Sequence, residues 1–215
     1  MPALAAVVFD LDDTLAVTDR PRQALLDAAT ARVGAASIDR ADYLDVHGSA
    51  NATETRAPIF ERLGDADPTA LATAYRAAVG DALEPVPGAA DLVRALRETY
   101  RVGLLTDGPS VAQRDKLERL GWSDLFDAVV VTGELAESKP HADAFGAICA
   151  ELAVEPGATA FVGDRPDVDV AGAGAAGLHP VQVTYPDGPP RHPAAEATVE
   201  RARLAADLPD VLAGL

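Results

Sequence analysis

Four apolar runs in this chain each end at, or a few residues before, polar side chains that can bind a phosphate group. The runs span residues 3–9, 101–105, 127–131 and 158–162. If these runs form strands of one parallel sheet, their carboxyl ends lie at the same edge, where ligands bind in open α/β sheets. We therefore expect polar residues that are distant in the sequence to meet there around a phosphorylated compound.

The first run delivers two acids, Asp10 and, two residues later, Asp12. A carboxylate can attack phosphorus and form an acyl phosphate, which water then hydrolyses. Because side chains two residues apart in extended backbone point to the same side, Asp12 can act as general acid and base beside Asp10. The alternative is a turn in which both acids accept hydrogen bonds from nearby backbone N–H groups.

A metal ion is implied by the acids that follow the fourth run. A carboxylate attacks a dianionic phosphate only when charge is neutralised, and Mg²⁺ does this with oxygen ligands. We predict Asp10 and Asp164 as metal ligands, together with the backbone carbonyl of Asp12. Asp169 is predicted to orient a metal-bound water. Asp167 is a rival for that role, although it also suits the N-terminus of a helix predicted there.

The second and third runs end near groups that can hold the phosphate. Thr106 is predicted to donate its hydroxyl to a phosphoryl oxygen, and Asp107 and Gly108 follow it, with Gly108 letting backbone N–H groups approach. Lys139 is predicted to bridge the nucleophile and the phosphate. The chain has 16 Arg and only two Lys, so Lys139 is unlike a generic surface cation. The other lysine, Lys116, fits the solvated face of a helix.

Composition excludes several classes of partner and predicts the compartment. The net charge of −16 argues against nucleic acid and membrane surfaces, which are bound with Lys and Arg. No apolar stretch approaches the roughly 20 residues of a membrane span, and the N-terminus has no basic segment typical of a signal peptide. One cysteine, Cys149, excludes an intramolecular disulfide and fits a buried thiol. We expect a cytoplasmic protein, whose acidity fits either a high-salt cytoplasm or an ordinary bacterium with a GC-rich genome.

Periodicity divides the chain into a core and an insertion. Helix-like spacing covers residues 20–33, 40–47, 53–63 and 68–83 without a strand among them, so residues 16–85 are predicted to form a helical cap domain. From residue 86 helices at 89–100, 110–120, 142–152 and 168–176 alternate with strands, ending in a fifth strand at 181–185 and a tail with a helix at 208–212. The predicted fold class is α/β, a Rossmann-like doubly wound parallel sheet built from residues 1–15 and 86–215.

The polar residues at the strand ends resemble the four motifs of the haloacid dehalogenase-like (HAD) hydrolase superfamily. The motifs are the Asp-Leu-Asp-Asp-Thr-Leu segment at residues 10–15, Thr106, Lys139 with the following proline, and Asp164 with Asp169. The resemblance covers residues 3 to about 183. It implies a Rossmann-like core, aspartyl-phosphate chemistry, Mg²⁺ dependence and a helical cap of the C1 type after the first motif. The chain departs from the usual pattern of the superfamily at two positions. Asp107 stands where relatives often carry Asn, and the charged Asp13 lies beside the predicted phosphate-binding residues.

Within the superfamily, dehalogenases need no acid to protonate the leaving group of a phosphate ester, and they lack an Asp at the position of Asp12. The presence of Asp12 therefore favours a phosphatase over a dehalogenase. The expected substrate is a small phosphate ester, and the sequence predicts no oligomeric state. A phosphomutase stays open, because it shares the nucleophile and the acid. A non-enzymatic phospho-receiver module also uses clustered acids, a Thr and a Lys, but it is about half this length and has no helical insertion.

The non-phosphate end of the substrate is expected to contact the cap near residues 47–51. His47, Asn51 and Arg56 supply hydrogen bonds or positive charge in an otherwise acidic cap, and Gly48 permits a tight loop there. The alternative is structural: Asn51 caps a helix that starts near Thr53, and Arg56 pairs with a neighbouring Glu.

Overall fold

The computed structural model describes residues 4–47 and 53–215. The strands are β1 (Ala6–Phe9), β2 (Ala16–Thr18), β3 (Leu83–Pro85), β4 (Arg101–Thr106), β5 (Ala128–Val131), β6 (Thr159–Gly163), β7 (His179–Thr184) and β8 (Ala197–Glu200). The helices are α1 (Arg22–Val33), α2 (Arg40–His47), α3 (Ala57–Phe60), α4 (Pro68–Asp81), α5 (Ala89–Leu96), α6 (Ser110–Leu120), α7 (Ala142–Leu152), α8 (Ala171–Ala175) and α9 (Leu204–Ala213).

Within the described ranges, six strands form one parallel sheet in the order β5-β4-β1-β6-β7-β8. The chain moves outward from β1 to β4 and β5, and then returns to β6 on the other side of β1. The direction of winding therefore reverses at β1, and the carboxyl ends of β4, β1 and β6 surround the crevice where such folds bind ligands. The predicted doubly wound parallel sheet is confirmed, and β8 adds a sixth strand from the short apolar run in the tail.

Both faces of the sheet are covered by helices, because alternate side chains of each strand point to opposite sides. Val7 and Phe9 of β1 lie in a core that includes residues of α5 and α9. Ala6 and Val8 lie in a second core, which includes Phe145 of α7. Cys149 is buried in this second core, as expected, and burial raises the pKa of its thiol. None of the described helices has the length and hydrophobicity that crossing a membrane requires.

Helices α1–α4 form the helical cap between β1 and β4, with a core of its own. Leu26 of α1 and Leu71 of α4 are fully or almost fully buried in it. Three rings pack at its centre, because Tyr43 lies 5.8 Å from Phe60 and 5.5 Å from Tyr75 between ring centroids. The antiparallel pair β2 and β3 joins this insertion to the sheet. The domain boundaries at residues 16 and 85 stay a prediction.

The cap segment before α3 differs from its sequence pattern. A helix is expected over residues 53–63, but α3 covers only Ala57–Phe60, because Pro58 suits the first turn of a helix and earlier backbone groups bond elsewhere. The carbonyl of Thr53 accepts a hydrogen bond from the N–H of Ser110 (2.8 Å), and that of Glu54 accepts one from Val111 (3.2 Å). These donors open α6 and have no partner within their own helix, so the cap segment is bound to the core beside the loop that follows β4.

Candidate active site

Asp10 follows the last residue of β1 and lies almost fully buried at the reversal point of the sheet. Its backbone N–H donates to the carbonyl of Val162, which extends the pairing with β6 by one residue. Lys139 Nζ donates to Asp10 Oδ1 at 2.7 Å and to Asp169 Oδ1 at 2.8 Å. Among the described residues no donor binds the second carboxylate oxygen of Asp10. The predicted contact between Lys139 and Asp10 is therefore present.

Asp169 is the better placed of the two rivals in the loop after β6. Its side chain is fully buried and accepts hydrogen bonds from Lys139 and from the backbone N–H of Arg165 at 3.0 Å. The side chain of Asp167, by contrast, is 93% exposed. Gly163 makes room for Asp169, because a Cβ at that position would lie 2.7 Å from the Cβ of Asp169. The structure thus brings Asp169, and not Asp167, to Asp10.

Three acids form a cluster that suits a small dication. One carboxylate oxygen each from Asp10, Asp164 and Asp169 lies within 4.8 Å of the others. Asp164 Oδ1 is buried and has no hydrogen-bond partner in the described chain, while Tyr185 donates its hydroxyl to Oδ2 at 3.0 Å. A buried carboxylate oxygen without a donor is the kind of ligand that Mg²⁺ takes. Both oxygens of Asp169 already accept hydrogen bonds, so Asp10 and Asp164 are the freer ligands.

The electrostatics of the cluster favour the binding of a cation. Burial raises the pKa of Asp10 to about 6, although the charge of Lys139 opposes the shift. Burial, with the charges of Asp10 and Asp169, raises the pKa of Asp164 to about 7. Burial also acts to raise the pKa of Asp169, but the charges of Lys139 and Arg165 outweigh it and hold that pKa below its usual range. Two of the three acids are thus hard to ionise without a further cation.

The loop after β4 carries the three residues that the sequence predicts to lie beside a phosphate, Thr106, Asp107 and Gly108. Thr106 is 1% exposed, and its hydroxyl is buried with no hydrogen-bond partner among the described residues. Asp107 Oδ2 accepts a hydrogen bond of 2.7 Å from Arg165. Gly108 has φ 129°, and a Cβ there would lie 2.8 Å from Gln113 Nε2, so both the backbone and the close approach require glycine. The free hydroxyl of Thr106 is available to a phosphoryl oxygen.

The expectation that Lys116 lies on a solvated helix face is wrong. Lys116 is 2% exposed, and its Nζ donates to both carboxylate oxygens of Asp12, at 2.7 Å to Oδ1. Gln113 donates to Asp12 Oδ2 at 3.2 Å, and Arg22 Nη2 lies 3.6 Å from Oδ1. Burial acts to raise the pKa of Asp12, but the charges of Lys116 and Arg22 hold it well below its usual range.

A signal for the burial of Lys116, though not for its partner, is present in the sequence of α6. The buried residues of that helix are Ala112, Gln113, Lys116 and Leu117, whose spacing follows one face of a helix. Lys116 therefore shares its face with apolar residues. The helical period predicts that the Lys116 side chain is buried, whereas its charge alone predicts that it is exposed to solvent.

The structure places the described cap residues that were expected to contact the substrate in different surroundings. His47 ends α2 and, with Arg56, borders a cavity between cap and core. Asn51 lies outside the described residues. Arg56 is 8% exposed, and its guanidinium lies 5.6 Å from the centre of the Tyr75 ring. The alternative pairing of Arg56 with a Glu is not found, because no described carboxylate lies within 4.0 Å of it.

Sequence reasoning missed several side chains of the site, namely Arg22, Gln113, Arg165 and Tyr185. Arg165 bonds to Asp107 and also lies 3.4 Å from Asp169, and Tyr185 comes from the end of β7. These residues belong to elements whose distance from Asp10 is set by the sheet order and by the cap. The sequence offers no spacing rule that would have selected them.

The comparisons with known proteins agree with the geometry. The sequence profile of the haloacid dehalogenase-like hydrolases matches residues 4–177. A glyceraldehyde 3-phosphate phosphatase from Methanopyrus kandleri is 31% identical over 212 residues, which cover 88% of this chain and 89% of the relative. A phosphoglycolate phosphatase from Cereibacter sphaeroides is 32% identical over 194 residues, covering 81% of this chain and 83% of the relative.

A solved structure of an HAD phosphatase from Thermococcus onnurineus superposes with a TM-score of 0.73 and 26% identity, covering 98% of this chain and 99% of the other. A magnesium-bound HAD hydrolase from Bacillus subtilis has the same fold, with a TM-score of 0.70 and 22% identity over 98% of this chain and 99% of the other. The sheet order, the helical insertion after β1 and the profile match all lead to one assignment. The chain belongs to the haloacid dehalogenase-like hydrolases, with a helical cap, and the two relatives described above, which match most of its length, are phosphatases.

Proposed function

We propose that this protein is a Mg²⁺-dependent phosphatase that hydrolyses a small phosphorylated metabolite through an aspartyl phosphate on Asp10. The observation that carries the proposal is the buried cluster in which Lys139 holds one oxygen of Asp10 and leaves the other free. The two phosphatase relatives act, by their names, on three-carbon and two-carbon phosphate esters, which supports a small substrate. We also propose a cytoplasmic location, which the single cysteine supports.

In the first step the free oxygen of Asp10 attacks phosphorus, and the bond from phosphorus to the leaving oxygen breaks. Asp12 gives its proton to that leaving oxygen, and the dephosphorylated product departs. Thr106 donates its hydroxyl to a phosphoryl oxygen, while Lys139 keeps Asp10 in position and offsets negative charge. Asp12 is therefore required in its protonated form at this step, although Lys116 favours its ionised form.

In the second step water attacks the phosphorus of the aspartyl phosphate. Asp12, now a carboxylate, takes a proton from that water, the bond between phosphorus and Asp10 breaks, and inorganic phosphate leaves. Lys116 and Gln113 hold Asp12 in the ionised state that this step needs. When bound, Mg²⁺ would be held by Asp10 and Asp164, with Asp169 in support, and would neutralise charge on the phosphoryl oxygens. A contribution from the backbone carbonyl of Asp12 stays a prediction.

The test is to replace the nucleophile without changing its shape. Asp10→Asn is expected to abolish release of inorganic phosphate and the acid-stable phosphoenzyme, because an amide cannot attack phosphorus. Asp167→Asn is the matched control, since its side chain is exposed and outside the cluster. Phosphate release by Asp10→Asn at a substantial fraction of the wild-type rate would contradict the mechanism. Phosphoryl transfer within the substrate without net release would instead identify a phosphomutase, and one phosphorylation without turnover a receiver module.

A further inference from the structure

A cavity of about 220 Å³ lies between the cap and the core, next to the catalytic cluster. The two cavities are adjacent, because four residues line both this one and the one that contains Asp10, namely Asp12, Arg22, Asp107 and Arg165. The volume is below the about 300–1,000 Å³ of pockets for drug-sized ligands. A phosphate ester bound at Asp10 can therefore extend only a compact leaving group into this space.

The charge of this cavity is opposite to that of the protein. Its charged lining residues are four arginines and two acids, in a chain whose net charge is −16. Both acids already have close cationic partners, because Asp12 binds Lys116 and Asp107 binds Arg165. Arg22 shares Asp12 with Lys116, and Arg40 and Arg56 have no acid of this lining opposite them.

Two of these arginines have no acidic partner. Within residues 4–47 and 53–215, no carboxylate oxygen lies within 4.0 Å of the guanidinium of Arg40 or Arg56, and the eight residues outside those ranges include no acid. Arg56 is 8% exposed, and its Nε is buried without a described hydrogen-bond partner. Tyr43 is a hydrogen-bond partner of this guanidinium, whereas Nε is left without one. Burying an unpaired donor atom is unfavourable, so this geometry fits a position that a ligand completes.

The other polar groups of the cavity agree with an anionic ligand. Burial lowers the pKa of His47, and the charges of Arg56 and Arg165 act in the same direction. The ring of Tyr75 lies against Arg56 and, with Tyr43, forms part of the wall. An arginine presents a planar set of donors that matches a carboxylate or a phosphate with two parallel hydrogen bonds.

We propose that this cap cavity binds a second anionic group, a carboxylate or a phosphate, on the same small phosphate ester whose phosphoryl group reacts at Asp10. The inference rests on the proposed phosphatase function and adds the chemical class of the substrate to it. Arg56 is the principal binding residue and Arg40 lies at the exposed rim. Arg22, between the two spaces, contacts Asp12 and is left out of the test.

The test compares matched esters with the full Mg²⁺-loaded chain. For carbon chains of two to four atoms, a phosphate ester ending in a carboxylate is paired with one of equal length ending in a hydroxyl, and with the corresponding bisphosphate. At one length at least, we expect the wild-type kcat/KM to be higher for an anionic ester by about tenfold or more. A preference for the carboxylate ester over the bisphosphate, or the reverse, identifies which anion the cavity takes.

Arg56→Gln and Arg40→Gln are expected to remove this preference by lowering kcat/KM for the anionic ester about tenfold, with a smaller loss for the hydroxyl ester. Arg32→Gln, an exposed arginine of α1 in the same cap, should keep the preference. Thermal melting checks that Arg56→Gln is folded, and Arg40→Gln carries the test if it is not.

The proposed subsite would be overturned if hydroxyl esters reacted as well as anionic ones at every length. It would also be overturned if the preference for anionic esters survived both substitutions. Either result would leave the phosphatase proposal intact. Failure of the wild type to hydrolyse any ester of either kind would overturn both proposals.

Discussion

Replacing Asp12 by Asn should destabilise the protein more than removing the lysine that binds it. Lys116 is 2% exposed, whereas the side chain of Asp12 is 28% exposed and also lies near Arg22 and Gln113. Asp12→Asn therefore leaves a buried ammonium without a counter-charge, next to the repelling charges of Arg56 and Arg22. Lys116→Met leaves a carboxylate that keeps other donors and contact with water.

The size of the effect follows from the burial of each partner. Breaking a buried ion pair costs about 3–5 kcal/mol, and the partial exposure of Asp12 reduces this for Asp12→Asn to about 2–4 kcal/mol. Lys116→Met is expected to lose about 1 kcal/mol, because burial of the lysine charge is relieved at the same time. The double variant Asp12→Asn/Lys116→Met should recover most of the stability that Asp12→Asn loses, but none of the turnover.

The assay is denaturant unfolding of the metal-free chain at neutral pH, with phosphate release measured on the Mg²⁺-loaded chain. Asp115→Asn is the control, because it breaks a surface ion pair with Arg119 and should lose less than about 1 kcal/mol. If Asp12→Asn is as stable as the wild type, or if the double variant is no more stable than Asp12→Asn, the argument from burial is refuted.

Three further outcomes are expected. First, the raised pKa values of Asp10 and Asp164 mean that the folded, metal-free chain holds protons that the unfolded chain has lost. The stability of the metal-free chain should therefore fall as pH rises from about 4 to 7. For the same reason Mg²⁺ should raise the melting temperature more at pH 8 than at pH 5. An equal Mg²⁺ effect at both pH values would contradict this. At the same site Ca²⁺ should not support activity, because the larger ion accepts looser geometry, and equal activity with the two ions would count against the proposed metal site. Second, Tyr185→Phe should weaken Mg²⁺ binding about tenfold in a calorimetric titration, because it removes the hydrogen bond to Asp164. Third, thermal stability should increase with KCl up to molar concentration, because screening lowers the repulsion among the 34 acids; an unchanged melting temperature would count against adaptation to high salt.

The sequence by itself was sufficient for the fold class and for the residues at the strand ends. Helix α6 was predicted at Ser110–Leu120 and α7 at Ala142–Leu152, because amphipathic spacing and the glycine after α6 are local signals. The residues at the strand ends could also be selected from a local signal, because an apolar run precedes each of them. They are Asp10, Thr106, Lys139 and Asp164. In a parallel sheet that position fixes the edge at which a side chain lies.

Tertiary structure alone decided which of these groups have partners. Lys116 lies on α6, and no local pattern states that the helix turns this residue toward Asp12, more than 100 positions earlier. The choice between Asp167 and Asp169 likewise depended on the course of the loop after β6, which buries one and exposes the other.

The cap was the least predictable part, for the same physical reason. The later start of α3 follows from hydrogen bonds that Thr53 and Glu54 make to α6, a helix outside the cap. The positive charge around Arg56 arises only when α1, α2 and α3 surround one cavity above the core. Sequence patterns record the periodicity of single elements. The partners of a buried charge depend on how separate elements pack, and here that packing decides the state of Asp12 and the chemistry of the cap cavity.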